Sequence, residues 1–385
     1  VEHPHLLAVG VTLVIPTCVG VKKEKLDVET TQIAPAEMRP GPHHCAWTPK
    51  EHTKGRLSER LLESLEQLPD YLRIMIVETT PSQNGAHIAS QRVLVHGPVS
   101  RAEAWHPWLS VSLFSALGAL SRLTQMGVNG DAALTFYDDS ASYEVPLGEL
   151  LKAALAKGKP HAHNRLVQFA GTDRLHGEGA FFSQHAMANT TLKQAFDASS
   201  WADLGQARGL RRAPRIVVRG NKKSVELPAT VGERIERCEQ EACTSVEDLA
   251  RAMCLLTQHA RLPSSRRLTL GMGDNPPNLA LLKGALTRPK RHTPSHVEYA
   301  FMQKLTKHRG YTLYRRFARA DGWSTFVMGV TSSKQRREYV VAMTAHGKSR
   351  PLDDVAEVVE REDYPADRPG TPVPVVRGVV LAVKF

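Results

Sequence analysis

The sequence predicts a mixed α/β protein of the α+β kind. An antiparallel sheet is flanked by helices, with a helical subdomain inserted between its first two strands and its last three. Three observations predict it. Tyr71–Glu78 and Gln91–Gly97 are β-branched runs separated by a polar segment holding Asn84-Gly85, which reads as a hairpin. Trp105–Leu123 (WHPWLSVSLFSALGALSRL) is apolar from Leu109 on nearly every helical face, its polar side chains from there to Arg122 being the small Ser110, Ser112, Ser115 and Ser121; such a helix is a buried one. Three late runs, Tyr311–Ala320, Trp323–Ser332 and Arg337–Thr344, read as strands, the last two joined through Ser333-Lys334-Gln335-Arg336.

The elements follow in order. Leu6–Gly20 is a short apolar run followed by Lys22-Lys23-Glu24-Lys25; it is short for a spanning helix and suits the core of an export signal, so residues 1–26 are expected to be a signal or N-terminal anchor. Ile15-Pro16-Thr17-Cys18 is a poor lipoprotein box, with Cys18 as the candidate lipid attachment. Residues 27–56 are rich in Pro, Thr, Glu and His without periodicity and read as a linker. Leu57–Leu68 has helical spacing. In the central helix, Pro107 fixes φ where a first turn wants it. Next come Leu134–Glu144, a helix from Pro146 to Ala156, the turn Gly158-Lys159-Pro160 and a second helix from His161 to Gly171. Arg215–Val218 and Ser224–Leu227 form a small hairpin turning at Gly220-Asn221. Thr244 or Ser245 caps a helix running to about His259, with Glu247 and Asp248 at its positive end. Leu279–Leu286 and Val297–Thr306 read as short helices and Asp353–Arg361 as a closing one; Pro365–Pro374 breaks the pattern before a last β-like run, Val375–Phe385. The expected main domain is 57–362, with its helical subdomain at about 107–290 and an extension at 363–385.

The segment HNRLVQFAGTDRLHGEG, together with the proline-then-buried-helix pattern and the two late strands Tyr311–Ala320 and Trp323–Thr331, resembles the class A β-lactamase-like, penicillin-recognising serine hydrolases. The likeness covers roughly residues 61–360 and implies a β-lactamase/transpeptidase-like fold. That family works with a Ser-x-x-Lys on the first turn of the central helix, a Ser-Asp-Asn loop and a Lys-Thr-Gly strand. Serine and lysine three apart share a helix face, so the amine takes the hydroxyl proton.

Laid on this chain without gaps, the resemblance puts the nucleophile at Leu109 and its lysine at Ser112. The second motif falls on Gly158-Lys159-Pro160 and the third on Arg316-Phe317-Ala318. No lysine in the chain has a serine three residues before it, and no Gly-x-Ser-x-Gly elbow occurs. A one-residue slip makes Ser110 the nucleophile, with Leu113 as an inert partner. Losing the nucleophile of such a constellation costs on the order of 10⁶ in turnover. The expectation is therefore a non-catalytic homologue, with an active serine hydrolase using Ser110 or Ser112 as the alternative. Lys159, Asn164 and Arg316 are the candidate binding residues of the old cleft, where a retained cation can hold a carboxylate or phosphate.

The net charge of +11 and a pI near 9.5 favour an anionic partner: a cell-wall polymer, a peptidoglycan-like ligand or an anionic lipid surface. The basic residues cluster at Arg208–Lys223 and from Lys290 to Arg319. Aromatic residues are not interleaved with them, which argues against single-stranded nucleic acid. Setting Cys18 aside leaves Cys45, Cys238, Cys243 and Cys254, an even number compatible with disulfides in an oxidising compartment, with Cys238 and Cys243 placed to close a small loop. Free buried thiols fit the same count. No Cys-x₂-Cys occurs, and His161 and His163, two apart on a helix, diverge, so neither metal nor cofactor is expected. Export to the periplasm or a membrane-attached position follows as the expected location, and the oligomeric state is left open.

Overall fold

The computed structural model describes residues 36–40, 45, 47–49, 72–97, 99, 108–128, 132–138, 141–193, 212–220, 223–233, 235, 238, 242–270, 276–287, 311–320, 323–333 and 337–346. The chain divides into units Val1–Gln32 and Ile33–Phe385, and all the described residues belong to the second. The expected export segment, Cys18, Pro107, the helices Leu57–Leu68, Val297–Thr306 and Asp353–Arg361, and the run Val375–Phe385 lie outside the described residues. No helix among the described residues is long and apolar enough to cross a membrane.

The architecture is the mixed α/β one read from the sequence. The Asn84-Gly85 hairpin is present: strand β3 (Leu72–Pro81) runs antiparallel to β4 (Ile88–His96). Gly85 adopts φ +70, and Asn84 Oδ1 accepts from the Ser82 hydroxyl and the Ala86 amide to close the turn. The three late strands are β13 (Tyr311–Ala320), β14 (Trp323–Ser332) and β15 (Glu338–His346). β15 pairs with β3, so the beginning and the end of the domain share one sheet.

The expected linker is a point of correction. Within residues 27–56 the chain forms β1 (Ala36–Pro40) and β2 (Trp47–Pro49), and β1 pairs with β4. The large sheet therefore has seven antiparallel strands in the order β13-β14-β15-β3-β4-β1-β2. The two added strands cover the β4 edge that a five-stranded sheet would leave open.

Between the halves of the sheet sits the helical part. A 3₁₀ turn, Trp108–Val111, leads into α1 (Ser112–Gln125), whose Leu113, Phe114, Leu117, Leu120 and Leu123 are wholly buried. Each such side chain is worth roughly 1.5–3 kcal/mol relative to exposure. The serines of this segment cost little there, because short side chains can bond to the preceding turn: Ser112 Oγ donates to the Leu109 carbonyl (2.6 Å) and Ser115 Oγ reaches the Ser112 carbonyl (3.0 Å). Around α1 lie α2 (Leu147–Leu155) and α3 (Pro160–Ala170), with Pro160 in the first turn of α3 and Gly171 at φ +84 ending it. Short helices α4 (Thr172–His176) and α5 (Phe181–Gln184) follow. A Cβ at Gly118 of α1 would overlap Leu175 Cδ2, so glycine is what lets α4 pack so closely.

A second, four-stranded sheet is made by β5 (Ala133–Tyr137), β6 (Ser142–Pro146), β9 (Arg215–Arg219) and β10 (Ser224–Leu227), in the order β10-β9-β5-β6. The expected hairpin at Gly220-Asn221 is the β9–β10 pair. The short strand pairs β7 (Thr191–Leu192) with β12 (Ala242–Cys243), and β8 (Arg212–Ala213) with β11 (Thr230–Val231), tie down the intervening loops. Helix α6 (Val246–Thr257) is capped as expected, Ser245 Oγ accepting from the Asp248 amide (3.0 Å), and α7 (Pro277–Thr287) completes the helical layer. Helix α6 packs on β14 at Gly329, where a Cβ would meet Thr257 Cγ2 at 2.5 Å and the Met253 side chain at 3.0 Å.

The cysteines other than Cys18 pair two and two. Cys238 joins Cys243, closing the short loop, and Cys45 joins Cys254 across 209 residues, tying the N-terminal strands to α6.

Candidate functional site

The three positions that the sequence resemblance assigns to motifs come together in space. Leu109 lies in the 3₁₀ turn, Gly158 lies between α2 and α3, and Arg316 is on β13. A methyl group at Gly158, where φ is +61, would sit 3.6 Å from both Arg316 Nη2 and Leu109 Cδ1. Residues up to 207 apart in the chain thus meet at one junction between the sheet and the helical part.

What fills the junction is a hydrocarbon side chain and a guanidinium. Arg316 is buried, and its head donates inward: Nε and Nη2 to the Leu109 carbonyl, both at 3.0 Å, and Nη1 to the Leu155 carbonyl at 2.7 Å. Those bonds satisfy the Leu109 carbonyl ahead of α1 and the last carbonyl of α2, which has no partner within its own helix. The charge is therefore a structural tie here, directed at backbone oxygen. The same Leu109 oxygen also takes the Ser112 hydroxyl proton.

The remaining sequence candidates divide between core and surface. Ser110 and Ser112 are fully buried on the turn into α1, and the Ser112 proton is committed to backbone. Asn164 is fully buried on α3. Lys159, at the start of α3, is exposed beside the junction. Arg316 and Leu109 touch; Lys159 and Asn164 share the same helix start without facing the same medium.

A serine–imidazole pair escapes the sequence reading. Ser115 Oγ lies 3.0 Å from His163 Nδ1, connecting α1 to α3. Both side chains are fully buried. Burial, aided by the nearby Arg316 charge, drives the His163 imidazole down to about 3, so it is neutral at physiological pH. A base of that strength has little driving force to take a hydroxyl proton, since useful catalytic values lie near the operating pH. The only trace of it in the sequence is that His163 falls on the apolar face of α3 and Ser115 on α1; their contact spans 48 residues and is tertiary. Two sets of hydrogen bonds meet at Ser112: its carbonyl accepts from Ser115, which contacts His163, and its hydroxyl donates to the Leu109 carbonyl that Arg316 also binds.

Helix α3, which carries His163, is fixed from its other side. Arg165 grips Asp138 at the end of β5 with both amino groups (2.9 and 2.5 Å) and stacks over Phe136 at 4.8 Å and Tyr143 at 5.9 Å. A paired-fork contact of this kind is geometrically strict. It holds the helical part to the smaller sheet. The basic cluster around β9 is partly neutralised on its own surface, with Arg215 on Glu226 (3.1 Å) and Arg219 on Glu144 (2.9 Å). Among the described residues no three of His, Cys, Asp and Glu gather as metal ligands.

No protein-family model matches the chain, and no curated protein matches it. Among solved structures it is similar to a β-lactamase from Sphaerobacter thermophilus (12% identity, 84% of this chain, 96% of that one, TM-score 0.49). It is also similar to a β-lactamase from Burkholderia vietnamiensis (15% identity, 86% and 97%, TM-score 0.47). A third is a mutant of PBP-A, described as an acyl-enzyme complex with penicillin G (12% identity, 87% and 98%, TM-score 0.48). The likeness is one of chain path.

Proposed function

We propose that the protein is a catalytically inactive homologue of the β-lactamase-like serine hydrolases, exported and acting as a binding or scaffold protein at the cell envelope. One observation carries the reading. The positions where acyl-transfer chemistry would place its nucleophile and its strand cation hold Leu109 and a guanidinium whose donors are turned onto the Leu109 and Leu155 carbonyls. Leucine offers no lone pair to attack a carbonyl carbon. The buried Ser112 gives its proton to backbone, which removes the activation a serine nucleophile needs.

Export draws support from the cysteines: Cys45, Cys254, Cys238 and Cys243 are all in disulfides, a state that persists in oxidising compartments. For the partner, the excess of basic residues favours an anionic polymer or membrane surface. Arg316 faces backbone, so a ligand charge is met by exposed cations such as Lys159 beside the junction.

Labelling with a fluorescent penicillin and with a fluorophosphonate tests the catalytic half, and neither is expected to leave a band on the purified protein. A band that disappears in Ser110→Ala would overturn it and favour the active hydrolase. Co-sedimentation with purified peptidoglycan and with anionic vesicles tests the binding half. Binding that weakens as salt rises and is reduced in Lys159→Ala is expected; no sedimentation with either at low salt refutes it.

A further inference from the structure

We propose that the Cys45–Cys254 disulfide is a redox-operated clip that decides whether the β1–β2 ribbon stays on the sheet. Within the sheet the ribbon is joined along one edge only. β1 meets β4 through Ala36↔Val95, Glu37↔Leu94 and Met38↔Val93, and β2 meets only β1. An isolated two-stranded ribbon is marginal in water.

The fastenings converge instead on Cys45, between the two strands. Its amide donates to Gln91 Oε1 of β4 (3.0 Å), its carbonyl accepts from Arg251 Nε of α6 (3.0 Å), and its sulfur is bonded to Cys254 of the same helix. Gln91 also sits against the clip, its Nε2 3.3 Å from the Cys254 sulfur while bonded to Thr79 Oγ1 at 3.0 Å. Cys45 is held at φ +63, a left-handed backbone that non-glycine residues adopt only where the surroundings impose it. Cutting the covalent link leaves Cys45, among its described contacts, only hydrogen bonds to Gln91 and Arg251 to keep it in a conformation its own backbone resists. The ribbon then leaves, and the β4 edge is uncovered.

The chemistry requires a dithiol donor. One donor thiolate attacks a sulfur of the Cys45–Cys254 bond, which breaks, and the released thiolate takes a proton. The second donor thiol displaces the mixed disulfide. The donor departs as a disulfide, and two electrons and two protons remain on Cys45 and Cys254 as thiols. Both sulfurs are buried, so attack waits on a transient lifting of the ribbon, and oxidation resets the clip.

The test is hydrogen exchange on the folded, oxidised protein before and after reduction by a water-soluble phosphine, with alkylation and peptide mapping to identify which cysteines opened. Exchange in 88–96 is expected to rise at least tenfold once Cys45 and Cys254 are alkylated, with 323–332 in mid-sheet unchanged, and, where alkylation is omitted, glutathione disulfide should reverse it. Unchanged exchange in 88–96 with both thiols alkylated overturns the proposal. So does an equal rise in 88–96 and 323–332, which would mean general loosening. Cys254→Ser, with the Cys238–Cys243 bond intact, should reproduce the local rise without reductant; if that chain does not fold, the reduction of the native protein decides alone.

Discussion

Asp248 gives the sharpest quantitative test of the fold. It lies in the first turn of α6, fully buried, where Thr190 Oγ1 donates to its Oδ2 (2.8 Å) and Arg251 Nη1 stands 3.7 Å from its Oδ1. Burial outweighs those favourable contacts and raises its carboxyl from 3.8 to about 6, with neighbouring Glu247 adding to the rise. The folded chain thus holds this proton more tightly than the unfolded one. The stability it contributes is full below pH 3.8, falls as pH climbs, and is lost above about 6. At about 1.4 kcal/mol per pH unit, that interval is worth about 3 kcal/mol, of which about 2 kcal/mol falls between pH 4.5 and 7.5. Asp248→Asn keeps an oxygen for the Thr190 hydroxyl and abolishes the titration. Urea unfolding of both proteins at half-unit steps from pH 4.5 to 7.5 isolates the effect, because groups remote from position 248 titrate alike in the two. The variant should gain about 2 kcal/mol on the wild type across that range. Parallel stability curves would refute the reasoning.

Three further outcomes follow from packing and pairing. Arg316→Met removes the donors to the Leu109 and Leu155 carbonyls and should cost about 2–4 kcal/mol in chemical denaturation, from two buried carbonyls left without those partners; no loss would mean that water replaces the guanidinium. Asp138→Ala strands the Arg165 charge between Phe136 and Tyr143 and should cost about 3–5 kcal/mol, whereas the double change Asp138→Leu with Arg165→Met should cost less, as a double-mutant cycle would record. Gly329→Ala pushes a methyl into Thr257 and Met253 and should lower stability by about 1–3 kcal/mol, with the unfolding midpoint as readout.

Much of the architecture was legible in the chain because its signals are local. Tyr311–Ala320 and Trp323–Ser332 appear as strands at the expected residues, the buried helix lies where the all-round apolar run put it, and Ser245 caps α6 through its own hydroxyl. The β1 and β2 strands read as linker because nothing in a stretch rich in proline and threonine announces a partner; β4, nearly sixty residues onward, supplies the ladder for β1, and β1 supplies it for β2. Of the four-stranded sheet, the β9–β10 hairpin was legible, but its joining to β5 was hidden, since β5 meets β9 across the whole α2–α5 segment. At the candidate site, the absence of a serine–lysine pair was visible from spacing alone. The inward turn of Arg316 and the Ser115–His163 contact were not, because each depends on which helix the fold sets opposite.

The bond from Arg316 to Leu109 and Leu155 has a consequence for biogenesis. Those carbonyls belong to early segments, yet their guanidinium arrives 207 and 161 residues later, on the same closing strands that complete the sheet against β3. A nascent chain emerging amino end first must therefore carry its helical portion with that seam unsealed until β13 has emerged. Any translocation or chaperone step acting on this polypeptide meets it in that half-finished form.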